Sequence, residues 1–593
     1  MLSEVTVRGI PQEKFAVAKK VVKIDSSIKS VYLQSNVGEL LMVTSPVYLR
    51  SYGAGMASGI SFRGTSPNHT GIYWNGLNVN SRTLGQSDLS LLPVTGADEI
   101  TVQYGASSSL YGSDAIGGSV HLNSNLDYNG PDRLLISQSV GSYGLNQTSG
   151  ALAINGNGIS SKTRAYYQQA DNDFSYELPL NKNIYKQNNA AIEFYGISQD
   201  LGFQLSSDQL IEISGWYNHN FRQIQPVIGN FTASTVQEDE SLRLTAAYIN
   251  NSDFGLLRFR TGFIEDDQLY DRSSRVKANQ IINQAQLEKK FGKISVSGGV
   301  NWNHIEASGD NYSGKPNEDR IDVFFLTVAD FDSWKVSLNA RENFVSTYSS
   351  AFSPSLSVEQ KVCDNLKLTY QLSRNYRVPT MNDRYWSPGG NRDIQPELSY
   401  NAEAGLEFHY SNFKVSANAY HMWVEDWIIW VPESTYWTPK NIREVKSKGI
   451  ETDLSYSAKI NQLSFKILGG FALSKAENTN AIDGTDRSQG EQLPYTPKHN
   501  AYGSIFTKWK DFYLTISSRF TGERKTLGNT SLDSYILADA NLGYNIKTKA
   551  GNFNAGFTAK NIFNTEYQPI INYAMPGRNY QITINYNLQF NQK

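Results

Sequence analysis

Gln581-Ile582-Thr583-Ile584-Asn585-Tyr586-Asn587-Leu588-Gln589-Phe590 is the stretch on which the reading of the whole chain turns. Side chains alternate along an extended chain. Ile582, Ile584, Tyr586, Leu588 and Phe590 therefore share one face, and Gln581, Thr583, Asn585, Asn587 and Gln589 share the other. A soluble sheet edge seldom keeps its second face so uniformly amide. A strand with hydrocarbon on one side and a wet lumen on the other does. The pattern recurs upstream. Phe512, Leu514, Ile516 and Phe520 oppose Tyr513, Thr515, Ser517 and Arg519; Phe413, Val415, Ala417 and Ala419 oppose Lys414, Ser416, Asn418 and Tyr420. Ala402, Ala404, Leu406 and Phe408 oppose Asn401, Glu403, Gly405, Glu407 and His409. An all-β soluble sandwich or propeller also alternates, but the outward faces here carry almost no charge.

Roughly twenty-two such segments lie between Leu134 and Phe590, an even number as bacterial outer-membrane barrels require. After the first hairpin the connectors mostly alternate short and long. Asn250–Phe254, Phe291–Lys293, Ala329–Ser333, Val362–Asn365, Tyr410–Phe413 and Lys508–Asp511 are short. Asp171–Ala190, His219–Glu238, Ile305–Asn317, Asn375–Leu398, Glu425–Val445 and Lys475–Lys498 are long. With both termini in the periplasm, every long connector lands outside. A barrel of this size encloses a plugged lumen, and the Gly-, Ser- and Val-rich text ahead of the first strand is the natural plug. The expected architecture is an all-β membrane protein: a barrel of about 22 strands over residues 129–593, with an N-terminal plug domain, 1–128, inside it.

Composition narrows the function classes. The 593 residues are 39% hydrophobic and 19% charged, with 35 Tyr, 27 Phe and 10 Trp. No run approaches the ~20 apolar residues of a spanning helix. A net charge of −2 offers no basic surface to nucleic acid. The single cysteine, Cys363, excludes a disulfide framework, and the seven histidines form no HxxxH or HExxH pair. With no GxSxG elbow either, an enzyme is not expected. The start, Met1-Leu2-Ser3-Glu4-Val5, shows no basic-then-apolar leader; a mature exported chain with an added Met is expected.

The plug region carries a family pattern. Ile60-Ser61-Phe62-Arg63-Gly64-Thr65 is followed by His69 to Asn75 and Gly76-Leu77-Asn78-Val79-Asn80. Then come Ala97-Asp98-Glu99-Ile100-Thr101-Val102 and the run from Tyr104 to Gly118, which contains Leu110-Tyr111-Gly112-Ser113-Asp114-Ala115-Ile116-Gly117-Gly118. In the barrel, Gly390-Asn391-Arg392-Asp393-Ile394-Gln395-Pro396-Glu397 and Lys560-Asn561-Ile562-Phe563-Asn564-Thr565-Glu566-Tyr567 complete it. The whole chain resembles the TonB-dependent outer-membrane receptors, and within them looks most like the cobalamin (vitamin B12) transporters. Two departures stand out. Asn591, Gln592 and Lys593 follow Phe590, where the family usually ends on its aromatic, and Trp74-Asn75-Gly76 replaces a common Asp-Gly.

The resemblance implies location in the outer membrane of a Gram-negative bacterium, in contact with its lipid. It also implies active import of cobalamin or a similar large ligand, energised by TonB and its inner-membrane complex. A surface lipoprotein capping the barrel is a further implied partner, and loop-bound calcium an implied ion. Leu2, Ser3, Glu4, Val5, Thr6 and Val7 look like the TonB box, an extended strand able to pair with a partner's sheet edge. A plug that yields to a pull is expected to hold the wall through polar contacts, with Arg63 facing Glu403 and Glu407. Ligand recognition is expected where external loops meet the plug apex. The candidates are Ser66, Asn68, His69, Arg82 and Gln86 on the plug, and Tyr385, Trp386, Trp430, Tyr436 and Tyr573 on the loops. Flat rings flanked by amides suit a large amphipathic ligand. Trp423 and Trp427 follow the lipid-facing register and are expected in the aromatic girdle.

Alternatives remain open at this point. A haem receptor would use His69 or His304 as an iron ligand. A ferric-siderophore receptor would use Arg374, Arg377, Arg384 and Arg392 to attract an anionic chelate. A passive porin or adhesin is the reading from another class. Asp171-Asn172-Asp173 and Glu265-Asp266-Asp267 are the acidic runs that could hold calcium. No metal-ligating residues are assigned.

Overall fold

The computed structural model describes residues 11–178, 181–433, 435–481, 488–527 and 530–590. Twenty-two antiparallel strands form a closed barrel, from Asp132–Gly141 to Asn579–Phe590. Closure is direct: Gln581 pairs with Gly141 and Phe590 with Asp132. The face assigned to hydrocarbon in the last strand is the exposed one, with Ile582 at 53% and Ile584 at 52%. Periplasmic turns are tight, as at Ser252–Gly255, Phe291–Ile294, Tyr410–Phe413 and Trp509–Phe512.

The outer connectors hold more strand than their composition suggests. Most of the expected loop Glu425–Val445 is a β-ribbon, because Phe413–Pro432 and Trp437–Ile460 continue outward past the barrel rim. A bulge lies in this ribbon. Asp426 has φ +56° and the register shifts between Val424 and Trp427. An extra residue reverses which face each later side chain takes. Trp423 therefore points outward, stacked on His421 at 3.8 Å. Trp427 does not: it turns inward and is buried against the ring of His69, centroids 4.3 Å apart. The girdle assignment fails for Trp427 because counting by twos does not survive the bulge.

Inside the barrel sits a five-stranded sheet in the order Val21–Lys23, Glu99–Tyr104, Gly118–Asn123, Thr70–Trp74, Leu77–Asn78. Helices Ser26–Val31 and Val37–Thr44 lie beside it, N-capped by Asp25 and Asn36. Leu40, Leu41, Ile72, Trp74, Ile100, Val102 and Leu122 form its core, which runs on into Trp216, Ile264 and Ile282 of the barrel wall. Phe15 and Leu110 meet Phe324, Leu326 and Val328 in a second apolar seam. The plug is thus held by apolar seams as well as by polar contacts.

Candidate functional site

Arg63 anchors the middle of the plug. It lies at the turn after strand Ser58–Ser61 with φ +52°, followed by Gly64 at φ +77°. The turn aims the guanidinium at the wall. Its Nη1 is 2.8 Å from Glu403 Oε1, and Nε and Nη2 each donate to Glu451 at 3.2 Å. The Tyr420 ring lies 4.5 Å below. Burial pulls the guanidinium pKa down, but Glu403 and then Glu451 outweigh it and raise it above its ordinary value. Gly105, at φ +79°, gives this pair room, since a β-carbon there would overlap Glu403 Oε1 and Arg63 Nη1. Lys20 adds a second plug cation, paired with Asp453 and 3.9 Å from Glu451. Glu407 is not an Arg63 partner; it pairs with Lys414 at 2.8 Å.

Nearer the outside, Glu397 is fully buried and fully engaged. Arg377 donates to both of its oxygens at 2.9 and 2.7 Å, and the Ile428 amide donates at 2.7 Å. His69 Nε2 completes the set at 2.5 Å. The Ser66 amide donates to His69 Nδ1 at 3.2 Å, so the ring proton sits on Nε2 and is given to Glu397. The plug apex is thereby tied to an external loop.

The loop that follows Arg377 grips the apex from above. Helix Met381–Tyr385 is closed by a capping box between Thr380 and Asp383. The amides of Met381 and Asn382 donate to the carbonyls of Arg82 and Thr83 at 2.9 and 3.3 Å. Trp430 Nε1 donates to Asp383 at 2.9 Å, Trp386 lies edge-on to Tyr312, and Tyr436 packs beside Gly389. The guanidinium groups of Arg384 and Arg392 lie 4.9 and 5.5 Å from the centre of the Tyr385 ring. Tyr385, Trp386, Trp430 and Tyr436 thus all lie on or against the loop that follows Arg377. Tyr573 lies elsewhere, edge-on to Tyr52 at 5.3 Å and clustered with Tyr48, Tyr495 and Ile570.

Not every expected plug contact faces outward. His69 and Arg82 are buried, with Arg82 donating to Gln280 at 2.8 Å and paired with Asp114 at 3.3 Å. Ser66, Asn68 and Gln86 are half-buried on the roof, where Asn68 donates to the Leu84 carbonyl at 3.2 Å. Two roof residues went unnoticed in the sequence. Tyr52 and Leu84 are the large apolar plug side chains left exposed among the described residues. The roof is therefore a shallow floor of Tyr52, Leu84 and amides, beneath aromatic loops.

Comparison with known proteins now decides the family. Residues 62–562 match the family model described as TonB dependent receptor-like, beta-barrel. The chain belongs to the TonB-dependent receptors. It is therefore an outer-membrane transporter of Gram-negative bacteria and not an enzyme family member. A vitamin B12 transporter, BtuB, of Photobacterium profundum is 23% identical over 567 residues, covering 93% of this chain and 89% of that one. The BtuB of Vibrio vulnificus (strain YJ016) is 24% identical over 610 residues, covering 96% and 94%. Among solved structures, the FrpB iron transporter from Neisseria meningitidis superposes with a TM-score of 0.81 at 13% identity, covering 96% and 99%. That likeness is one of fold.

In this TonB-dependent receptor the box residues Leu2 to Val7 lie outside the described residues. The arginines offered to an anionic chelate are largely engaged elsewhere. Arg377 is bound to Glu397 and Arg384 to Glu318 at 2.5 Å, both buried. Arg374 lies on the outer wall over Tyr400, which leaves Arg392 exposed at the mouth. His304 is also on the outer wall, paired with Asp319 at 3.0 Å. Glu265–Asp267 is not a loop but part of strand Gly255–Tyr270, and its outward members pair with Lys277 and Arg275. In the other acidic run, Asp173 pairs with Lys186. No cluster of three or more His, Cys, Asp or Glu side chains suited to a metal ion occurs among the described residues.

Proposed function

We propose that this receptor imports cobalamin or a related corrinoid, with residues 1–128 serving as TonB box and plug and 129–593 as the barrel. The observation that carries this reading is the polarity of the roof. Its exposed floor is Tyr52, Leu84 and amides, its rim is aromatic, and of Arg374, Arg377, Arg384 and Arg392 three are turned away from it. Such a surface buries apolar faces and bonds amide edges, but offers little to a strongly anionic chelate. The resemblance to vitamin B12 transporters supports that chemistry. Leu2 to Val7 would pair with TonB as an added strand, and the pull would reach the plug through residues 11–25. A capping lipoprotein would meet the loops around Tyr436, and any calcium would be drawn to Asp171 and Asp173.

The test is binding to the purified protein of cyanocobalamin, a ferric catecholate and haem. Saturable binding of cyanocobalamin, weakened at least tenfold by Tyr52→Ala, is expected. No binding at micromolar concentration, or preference for the iron chelate, overturns the assignment.

A further inference from the structure

The plug strand Tyr48–Ser51 leads out to the roof, and Tyr52 continues it with its amide bonded to the Ala57 carbonyl. The alternation of an extended chain puts Tyr48, Arg50 and Tyr52 on one face. Leu49 takes the other face and joins the plug core. Depth is graded along the first face: Tyr48 is 5% exposed, Arg50 is half-buried and Tyr52 is 44% exposed. Two outer loops close on it. Arg50 Nη2 donates to the Pro494 carbonyl at 3.4 Å, and the Tyr48 hydroxyl donates to the Pro569 carbonyl at 2.8 Å. At the open end Tyr573 meets Tyr52. One guanidinium thus lies just below the roof, among tyrosines.

This guanidinium is treated unlike the others on the plug. Arg63 holds Glu403 and Glu451, and Arg82 holds Asp114. Arg50 has no ion-pair partner among the described residues, and its Nε is buried without an acceptor. Burial pulls its pKa below the ordinary value, and Tyr48, Tyr52 and Tyr495 are the groups that work against this. The neighbouring loops supply no spare carboxylate among the described residues. Glu491 is taken by Lys525, and Arg524, whose charge also reaches Tyr48, is itself buried and spends its donors on the Gly522 and Gln568 carbonyls at 2.7 and 3.1 Å. A buried N–H left without an acceptor is costly, and a monoanion that accepts from it removes that cost. Guanidinium groups bind phosphate oxygens through their planar fork. A multiply charged chelate would find one such base here, whereas tyrosine walls suit a singly charged ester with organic arms.

Resting on the corrinoid reading above, we propose that Arg50 binds the phosphodiester in the nucleotide arm of a complete corrinoid and so selects corrinoids that carry the arm. The test is equilibrium binding of cyanocobalamin and of dicyanocobinamide, which lacks the phosphodiester, ribose and base, to the purified full chain. The wild type should bind cyanocobalamin about tenfold more tightly, the worth of one charge-assisted hydrogen bond. Arg50→Gln should lose that factor for cyanocobalamin and leave dicyanocobinamide binding unchanged, which also shows that the roof is folded. Arg50→Lys, which keeps the charge, and Lys525→Gln, which removes the neighbouring exposed cation, should both keep the preference. Equal binding of the two corrinoids by the wild type overturns the role of Arg50. So does loss of both ligands together in Arg50→Gln, or an equal loss of preference in Lys525→Gln. Displacement of cyanocobalamin by millimolar inorganic phosphate overturns the diester as the anion. Binding of neither corrinoid by the wild type overturns the corrinoid reading itself.

Discussion

The two ends of the plug are held by different physics, and one barrel strand displays the contrast. Strand Glu397–Tyr410 turns Glu397, Glu403 and Glu407 toward the lumen, over about 25 Å of depth. At the outer end Glu397 accepts four hydrogen bonds, one of them from the plug, and is fully buried. In the middle Glu403 shares Arg63 with Glu451. At the periplasmic end Glu407 meets no plug base among the described residues and lines a cavity of about 360 Å³ between wall and plug. The plug's side of that cavity includes its edge strand Val21–Lys23, joined to the sheet by three residue pairs. On the proposed import cycle, a pull on the N-terminus would meet the short, cavity-flanked edge first and the Glu397 tie last. On that reading, closure and release fall to opposite ends of one domain.

Three Glu→Gln substitutions along this one strand break the contrast by steps. Glu397→Gln should have the largest effect, because buried Arg377 loses its bidentate carboxylate and keeps only Asp383 at 3.9 Å; the cost is about 3–5 kcal/mol. The urea concentration at which the protein begins to conduct in a planar bilayer should fall accordingly. An unchanged threshold would mean that the outer tie does not hold the plug. Glu403→Gln should cost less, about 1–3 kcal/mol, since Arg63 keeps Glu451. In the same assay, Arg63→Met should exceed Glu403→Gln, because it strips Glu403 of its paired base and leaves Glu451 only Lys20 at 3.9 Å, rather than half-freeing one base.

How much of this was readable in the sequence depends on whether the feature is periodic. The strand faces were readable, since alternation persists wherever a ladder is regular, as from Gln581 to Phe590. Trp427 was misread because one bulge at Asp426 shifts the parity without leaving a trace in composition. Arg63 and Glu403 could be paired because one lay in a plug motif and the other on a wet face. Glu451 was invisible, being 388 residues from Arg63 and joined to it only by barrel closure. Glu397 stood at the end of a quoted loop run, yet nothing local shows that a carboxylate there will lie buried against Arg377 and His69. Tyr52 and Leu84 were passed over because exposure on a plug roof is set by what the loops leave uncovered.

The periplasmic end should also respond to pH with a definite sign. Burial pushes the Lys19 ammonium down to about 8 from its ordinary 10.5, and Lys29, in the helix that follows the edge strand, down to about 8 as well. Both donate to plug carbonyls, Lys19 to Ala106 and Lys29 to Ala97 and Asp98, so where urea unfolds the plug as it undocks both lysines become solvated and hold their protons to higher pH. Between about 8 and about 10.5 the undocked form therefore binds more protons, and docking strengthens as pH rises. The urea threshold for conduction should climb across that window, and Lys19→Met should flatten the climb. A threshold that falls instead would show that these ammonium groups are not buried in the closed state.

Glu407→Gln should have the smallest effect, and that smallness is what gives the series its meaning. The carboxylate pairs with Lys414, which is itself half exposed beside the cavity. Pairs of this kind contribute about 0–1 kcal/mol, because solvent screens the charges and both side chains lose freedom in meeting. The substitution removes a charge from the same strand, on the same face, four residues from Glu403. If the conduction threshold moved as far as it does for Glu403→Gln, the gradient along the strand would reflect lumen charge in general. If it stays near the wild-type value, the plug is held by where its own bases reach the wall, and the cavity end is free to open first.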